Sequence, residues 1–177
     1  MPKPKRDITP PELPWSLHKS GGWTAQYDRV KRWHKRLQSI RASRTATDNQ
    51  EEALDFIYAF FQNCSHLRDW ILYSKATKQN SVEEFFANFY EMKLCQDISN
   101  GTKHFQLNDP KQSREFSLAR EYVPPSWIGE RPHDNEKWVI LLEGEKLDIF
   151  DLSDRCMSLW EEFIKANLKA KPIRNGG

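Results

Sequence analysis

The segment from Ala53 to Phe61 is apolar on most of its helical faces, and it constrains the fold more than any other part of the chain. A surface helix carries its apolar residues on one stripe, so a helix that is apolar nearly all round must be surrounded by other elements. Asp48 is placed to cap this helix, Glu51 completes a capping box, and the pattern continues to about Tyr73. We therefore predict a central helix that other helices cover on several sides.

Three more helices are predicted around this central one. In the first, apolar residues recur every three or four positions over about Thr24–Ser43. The next has Ser81 as its cap, Glu84 completing a capping box, and a break near Gly101. The last begins near Ser153 and places its apolar residues on one side.

A small β-insertion is predicted between the third and last helices, at about 114–151. Residues Phe116–Tyr122 alternate as in a strand, and the β-prone runs Lys137–Glu143 and Lys146–Asp151 flank Gly144. The predicted fold class is mainly α: an up-and-down helical bundle of about four main helices with a β-hairpin or meander before the last helix.

The length of 177 residues fits one domain, which we assign to residues 21–170. Residues 1–20 contain five of the ten prolines and no helical period, which predicts a proline-rich amino-terminal arm. Residues 171–177 are polar and are predicted to form a flexible tail.

The three cysteines, Cys64, Cys95 and Cys156, are widely spaced and form no CxxC pair. A metal site is expected to show more ligands at closer spacing, so we predict buried free thiols and no metal or cofactor. Free thiols indicate a reducing compartment. With no signal peptide and no long apolar run in the sequence, we expect a cytoplasmic protein without membrane contact.

The first helix is strongly basic, with seven cations and one acid between Thr24 and Arg44. Arg29, Arg32 and Arg36 are three and four residues apart, so they share a face. We predict that these three arginines contact nucleic-acid phosphates. The alternative is that they only form a solvated helix face.

Two polar clusters carry side chains suited to proton transfer or phosphate binding, one near the end of the second helix and one at the end of the third. Their members are His66, Asp69 and Trp70 in the first cluster, and Asp97, Asn100, Lys103 and His104 in the second. His104 is the candidate acid or base because imidazole titrates near neutral pH. Lys103 would neutralise a phosphate and Asn100 would hydrogen-bond the substrate. The alternative is structural: Asp97 and Asn100 cap the helix, Asp69 pairs with Lys103, and Trp70 belongs to the core.

The His-Leu-Arg-Asp-Trp run at 66–70 and the Asp-Ile-Ser-Asn-Gly-Thr-Lys-His run at 97–104 resemble bacterial members of the HEPN superfamily. That resemblance implies a small helical bundle, often dimeric, in antiphage defence or toxin–antitoxin systems. Many such proteins are metal-independent ribonucleases whose site pairs an Arg with a His four to six residues later. Asn100 and His104 match the pattern, whereas Ser99 stands where the Arg is expected.

Two functions are therefore expected as alternatives. The first is a HEPN-like RNA-directed protein acting as a metal-independent endoribonuclease. The second is a non-catalytic HEPN-like dimeric interaction module or a module that binds a ligand or nucleotide. Tryptophans at Trp23, Trp33 and Trp160 are expected to leave aromatic stripes exposed, which predicts a two-fold homodimer with both His104 side chains at one groove.

Overall fold

The computed structural model describes residues 21–42, 50–101, 116–122, 136–142 and 144–168. The predicted arm, the tail and the Asp48 cap lie outside these ranges. The described residues form five helices and three strands, in the order α1 (Gly22–Ala42), α2 (Gln50–Tyr73), α3 (Gln79–Asn88), α4 (Tyr90–Gly101), β1 (Phe116–Tyr122), β2 (Glu136–Leu142), β3 (Glu145–Asp148) and α5 (Ile149–Asn167). The prediction of a mainly helical fold with a small β-insertion before the last helix is confirmed.

Helix α2 lies at the centre of the core, as its apolar composition predicts. Six of its side chains have no solvent exposure: Ile57, Phe60, Phe61, Cys64, Leu67 and Ile71. They contact buried residues from all four of the other helices. Burial of each large apolar side chain contributes roughly 1.5–3 kcal/mol, so this one helix supplies much of the driving force for folding. Even so, none of the described helices combines the length and the hydropathy that a transmembrane segment requires.

Helix α1 runs antiparallel to α2. Gln26, near its start, donates a hydrogen bond to the carbonyl oxygen of Asn63 at 3.0 Å. Later in α1, the His34 ring lies 5.5 Å from the ring of Phe60, and Trp33 lies 6.1 Å from Phe56. The partner residue on α2 moves back along the chain as α1 advances, which places the cationic helix against the central one.

The third predicted helix is divided into two. Phe89 has an extended backbone, with φ −113° and ψ 117°, and this ends α3 before α4 begins at Tyr90. The predicted Ser81 cap is wrong, because the amino-terminal cap of α3 is Lys78, whose side chain makes no capping bond. Since α3 and α4 are separate helices, the four-helix up-and-down arrangement is not confirmed.

The three strands form an antiparallel sheet in the order β1-β2-β3. Gly144 makes the predicted turn between β2 and β3 with φ +88°, a conformation that favours glycine. The third strand is shorter than predicted and α5 starts four residues earlier than Ser153. The reason is Asp148, whose carboxylate accepts hydrogen bonds from the backbone N–H groups of Phe150 and Asp151 at 2.8 and 3.2 Å, and so starts the helix.

The prediction that Trp160 belongs to an exposed aromatic stripe is wrong. Trp160 has no solvent exposure, and its ring centroid lies 4.9 Å from that of Phe85 and 5.7 Å from that of Phe163. Helix α3 covers this side of α5, which the sequence pattern did not indicate. Trp23 and Trp33 are half-buried and pack against the same core.

Candidate functional site

The predicted catalytic cluster at the end of α4 is only partly described. Lys103 and His104 lie outside the described residues. Asp97 is only 1 % exposed and Asn100 is half-buried. Ser99, at the position where the HEPN pattern has Arg, is also buried. The last turn of α4 therefore directs Asp97 and Ser99 toward the protein interior.

The predicted supporting cluster on α2 is more accessible. Asp69 is exposed, and His66 and Trp70 are half-buried. Each of the three belongs to the last third of α2, beyond the fully buried Cys64. Asp69 therefore presents its carboxylate to solvent.

The described members of the two polar clusters lie apart, because the chain from α3 to α4 runs antiparallel to α2. The Arg68 guanidinium lies 5.4 Å from the Phe86 ring centroid, whereas the Cys95 thiol donates to the Phe61 carbonyl oxygen at 3.7 Å. Relative to the contact between Cys95 and Phe61, Asp69 lies further toward the carboxyl end of α2. Asn100 lies five residues beyond Cys95, about 7.5 Å away in the opposite direction. Asp97 and Asn100 therefore do not lie beside Asp69, whereas Lys103 and His104 lie outside the described residues.

The outer face of α1 keeps the cations that the sequence analysis singled out. Arg32 and Arg36 are exposed and Arg29 is half-buried. Arg29 donates a hydrogen bond to the Gln26 amide oxygen at 2.8 Å, and the Arg36 guanidinium lies 4.5 Å from the Trp33 ring centroid. Within the described part of the chain, none of the three arginines is within ion-pair distance of a carboxylate. Among the described residues, no carboxylate therefore neutralises their charge.

Two other cations of α1 are neutralised by carboxylates. Lys31 pairs with Asp28 at 2.6 Å. Arg41 pairs with Asp151 and Asp154 of α5, at 3.3 and 3.5 Å. The helix therefore carries cations of two kinds, and the arginines that have no carboxylate partner among the described residues lie on one face.

His34 has a packing role, as expected for a histidine beside the apolar stripe. Its Nε2 lies 2.7 Å from Asp154 Oδ1, and the Gln38 side-chain amide donates to the same oxygen at 2.8 Å. The ring also contacts the Gln38 side-chain amide, 3.2 Å from its Nε2, and the ring of Phe60. His34 therefore joins α1 to α5 and shares no contact with Arg29, although the two match an R-x4-H spacing.

The three cysteines converge, which the sequence analysis did not anticipate. Cys64 of α2, Cys95 of α4 and Cys156 of α5 are free and fully buried, and their sulfur atoms all lie within 4.8 Å of one another. We call this group the cysteine cluster. Apolar periodicity correctly placed each cysteine on an inner helix face, but the convergence depends on how three helices pack, which periodicity does not encode.

The thiols of the cysteine cluster affect one another's pKa. At Cys64, burial raises the pKa, but the polar contacts of its sulfur with Cys156, Cys95 and the Trp160 indole outweigh burial and hold the pKa well below the usual value. Burial and the neighbouring sulfurs raise the pKa of Cys95 well above normal. The hydrogen bond to Cys64, together with burial, likewise raises the pKa of Cys156, although its bond to Cys95 acts the other way. The opposite directions of these pKa shifts arise from the close approach of the three sulfur atoms.

A shallow groove of about 330 Å³ lies between α3 and α5, with Phe85, Phe89 and Leu159 among its apolar lining. Glu84 and Glu162 also line it, and both are exposed. Two carboxylates repel phosphate, so this groove is unsuited to RNA backbone binding.

Comparison with known proteins identifies no family. No protein-family model matches the chain, and no curated protein or solved structure is significantly similar to it. The resemblance to the HEPN superfamily thus rests on the short runs at 66–70 and 97–104 alone, and it stays a hypothesis.

Proposed function

We propose that this is an RNA-directed protein that holds the phosphate backbone with the outer face of α1. The observation that carries the proposal is the set of three arginines, Arg29, Arg32 and Arg36, with no carboxylate partner among the described residues. Guanidinium groups bind phosphate oxygens through charge-assisted, often bidentate hydrogen bonds. A phosphate contact would supply the counter-charge that none of the described carboxylates supplies.

The arginine face also has an aromatic neighbour. Trp33 is half-buried, and the Arg36 guanidinium lies over its ring. Proteins that bind single-stranded nucleic acid combine a cationic track with aromatic and guanidinium surfaces on which bases stack. The combination favours a single-stranded RNA ligand over a duplex, whose bases are already stacked.

Salt dependence tests this proposal directly. Anisotropy of a labelled single-stranded RNA measures Kd across a range of salt concentrations. Each phosphate contact contributes roughly 0.7 to the slope of log K against log salt, so Arg29→Gln, Arg32→Gln and Arg36→Gln together should reduce that slope by about 2. The matched control is Lys31→Gln with Arg41→Gln, which removes two paired cations from the same helix.

The control variant should bind RNA with a slope close to that of the wild type. If the arginine variant and the control lost the same amount of slope, net charge alone would explain the effect, and a specific binding face would be refuted. A wild-type affinity that does not change with salt would refute phosphate binding altogether.

The proposed catalytic activity is metal-independent RNA cleavage. His104 would withdraw the 2′-hydroxyl proton or protonate the leaving oxygen, Lys103 would stabilise the pentavalent phosphorane, and Asn100 would position the substrate. Cleavage should survive a metal chelator and leave a 2′,3′-cyclic phosphate. Equal cleavage by wild type and His104→Ala would refute this mechanism while leaving RNA binding intact.

The burial of Asp97 and Ser99 favours a second candidate, a non-catalytic HEPN-like module that interacts through dimerisation or binds a ligand or nucleotide. The Asp97 carboxylate does not face solvent, and an Arg at position 99, where the HEPN pattern has one, would not face solvent either. RNA or nucleotide binding without any His104-dependent cleavage would support this candidate. The homodimer is part of both proposals, and light scattering that gives 21.0 kDa at all concentrations would refute it.

A further inference from the structure

All three cysteines of the chain meet at one buried point. They come from three different helices, α2, α4 and α5, and are separated in sequence by many residues. None of the three sulfur atoms is exposed to solvent. The site is therefore built by the fold and is independent of the arginine face on α1.

The spacing of the sulfur atoms fits a single metal ion. Metal–thiolate bonds are about 2.3 Å long, so three sulfurs around one ion in a plane are about 4.0 Å apart. The three sulfurs already lie within 4.8 Å of one another. Contraction by at most about 0.8 Å, which small side-chain rotations provide, would bring them to bonding distance.

A second buried group points into this site. The Trp160 indole N–H is fully buried and makes no hydrogen bond of normal geometry to any residue in the described ranges. Its polar contact is with the Cys64 sulfur. An N–H group held against a sulfur ligand is the outer-shell contact that stabilises a metal-bound thiolate. In an ordinary apolar core the same N–H group would have no acceptor, which costs free energy.

We propose that Cys64, Cys95 and Cys156 bind one Cu(I) ion in a three-coordinate sulfur site. Soft thiolate ligands select Cu(I), Zn(II) and iron–sulfur clusters. Structural Zn(II) is almost always four-coordinate, and in the described part of the chain no His, Asp or Glu completes the group. Each thiol that coordinates releases its proton to solvent, and the ion keeps its oxidation state.

Without metal, two of the thiols make weak bonds to backbone oxygens. Cys95 donates to the Phe61 carbonyl oxygen and Cys156 to the Glu91 carbonyl oxygen, each at 3.7 Å. Both distances are long and thiols are weak donors, so the loss of these two hydrogen bonds on coordination costs little free energy. The bound ion would then join α2, α4 and α5 and stabilise the folded chain.

Titration of the reduced full-length protein with Cu(I), in competition with a colorimetric Cu(I) chelator and without oxygen, tests the proposal. We expect one equivalent of Cu(I) per chain, and a rise in the unfolding temperature because the ion binds only the folded state. The single variants Cys64→Ala, Cys95→Ala and Cys156→Ala should each lose affinity by more than roughly 100-fold, since outer-shell changes alone cost 10–100-fold.

Ile98→Val is the matched control, because it shortens a buried side chain of α4 and keeps all three thiols. It should retain one equivalent and the rise in unfolding temperature, and circular dichroism verifies that every variant is folded. Retained affinity in any cysteine variant would overturn the proposal. Failure of the wild type to compete with the chelator, or tight binding of Zn(II) without Cu(I), would overturn it as well.

Discussion

Trp160 is the largest fully buried side chain among the described residues. Its truncation therefore gives the sharpest test of the core. Its ring packs against three phenylalanines, Phe85, Phe86 and Phe163, with centroids 4.9, 5.8 and 5.7 Å away. A buried Trp removes about 200 Å² from water, which at about 25 cal/mol per Å² amounts to about 5 kcal/mol. We therefore expect Trp160→Ala to lower the free energy of unfolding by about 3–5 kcal/mol.

The loss is large relative to the whole stability of a domain, which is typically about 5–15 kcal/mol. Guanidinium unfolding followed by far-ultraviolet circular dichroism measures it, since the six other tryptophans complicate a fluorescence signal. Trp33→Ala is the control: this side chain is half-buried, with Phe56 6.1 Å away, and should cost about 2 kcal/mol. A smaller loss for Trp160→Ala than for Trp33→Ala would refute the buried assignment and restore the exposed aromatic stripe.

Two further predictions concern the ends of α5 and α1. Asp148→Ala should lower the free energy of unfolding by about 1 kcal/mol, because two backbone N–H groups lose their acceptor. In the same denaturation assay, Asp148→Asn should retain most of the stability that the cap contributes, because Asn also caps helices well. Burial, and then the Glu161 carboxylate, raise the pKa of Tyr27 from 10.0 to about 12. Folding therefore favours the neutral phenol, whose contribution is complete below pH 10 and is lost as the pH rises toward 12. Tyr27→Phe should make the alkaline loss of stability shallower, and an unchanged pH profile would contradict the shift.

The helical elements were readable from the sequence because each buries one clear face. The inward residues predicted for α5, including Cys156, Leu159 and Phe163, are all buried. The break at Phe89 was not readable, because Phe85, Phe89 and Met92 keep helical spacing across it. The early start of α5 had a signal in Asp148, a good capping residue, but the β-prone residues around it favoured a longer strand.

The site was harder to predict than the fold. Exposure of Arg32 and Arg36 follows from the helical period alone and agrees with the prediction, whereas Arg29 is half-buried. Antiparallel helices place their carboxyl ends at opposite ends of the bundle, so Asp97 and Asn100 at the end of α4 lie away from Asp69 at the end of α2. Convergence of Cys64, Cys95 and Cys156 depends on three helices at once, and their wide separation in sequence hides it.

The direct junction between β3 and α5 fixes the rotational setting of the last helix. Asp148 is the last residue of the strand and also the cap of the helix, so no connecting residue separates them. One residue inserted after Asp148 would rotate α5 by about 100° relative to the sheet. That rotation would turn Leu152 and Cys156 away from α2 and α4, whereas an insertion at the Gly144 turn would leave the helix in place. The sheet thus sets the angular position of α5, and with it the direction in which the Cys156 sulfur atom faces Cys64 and Cys95.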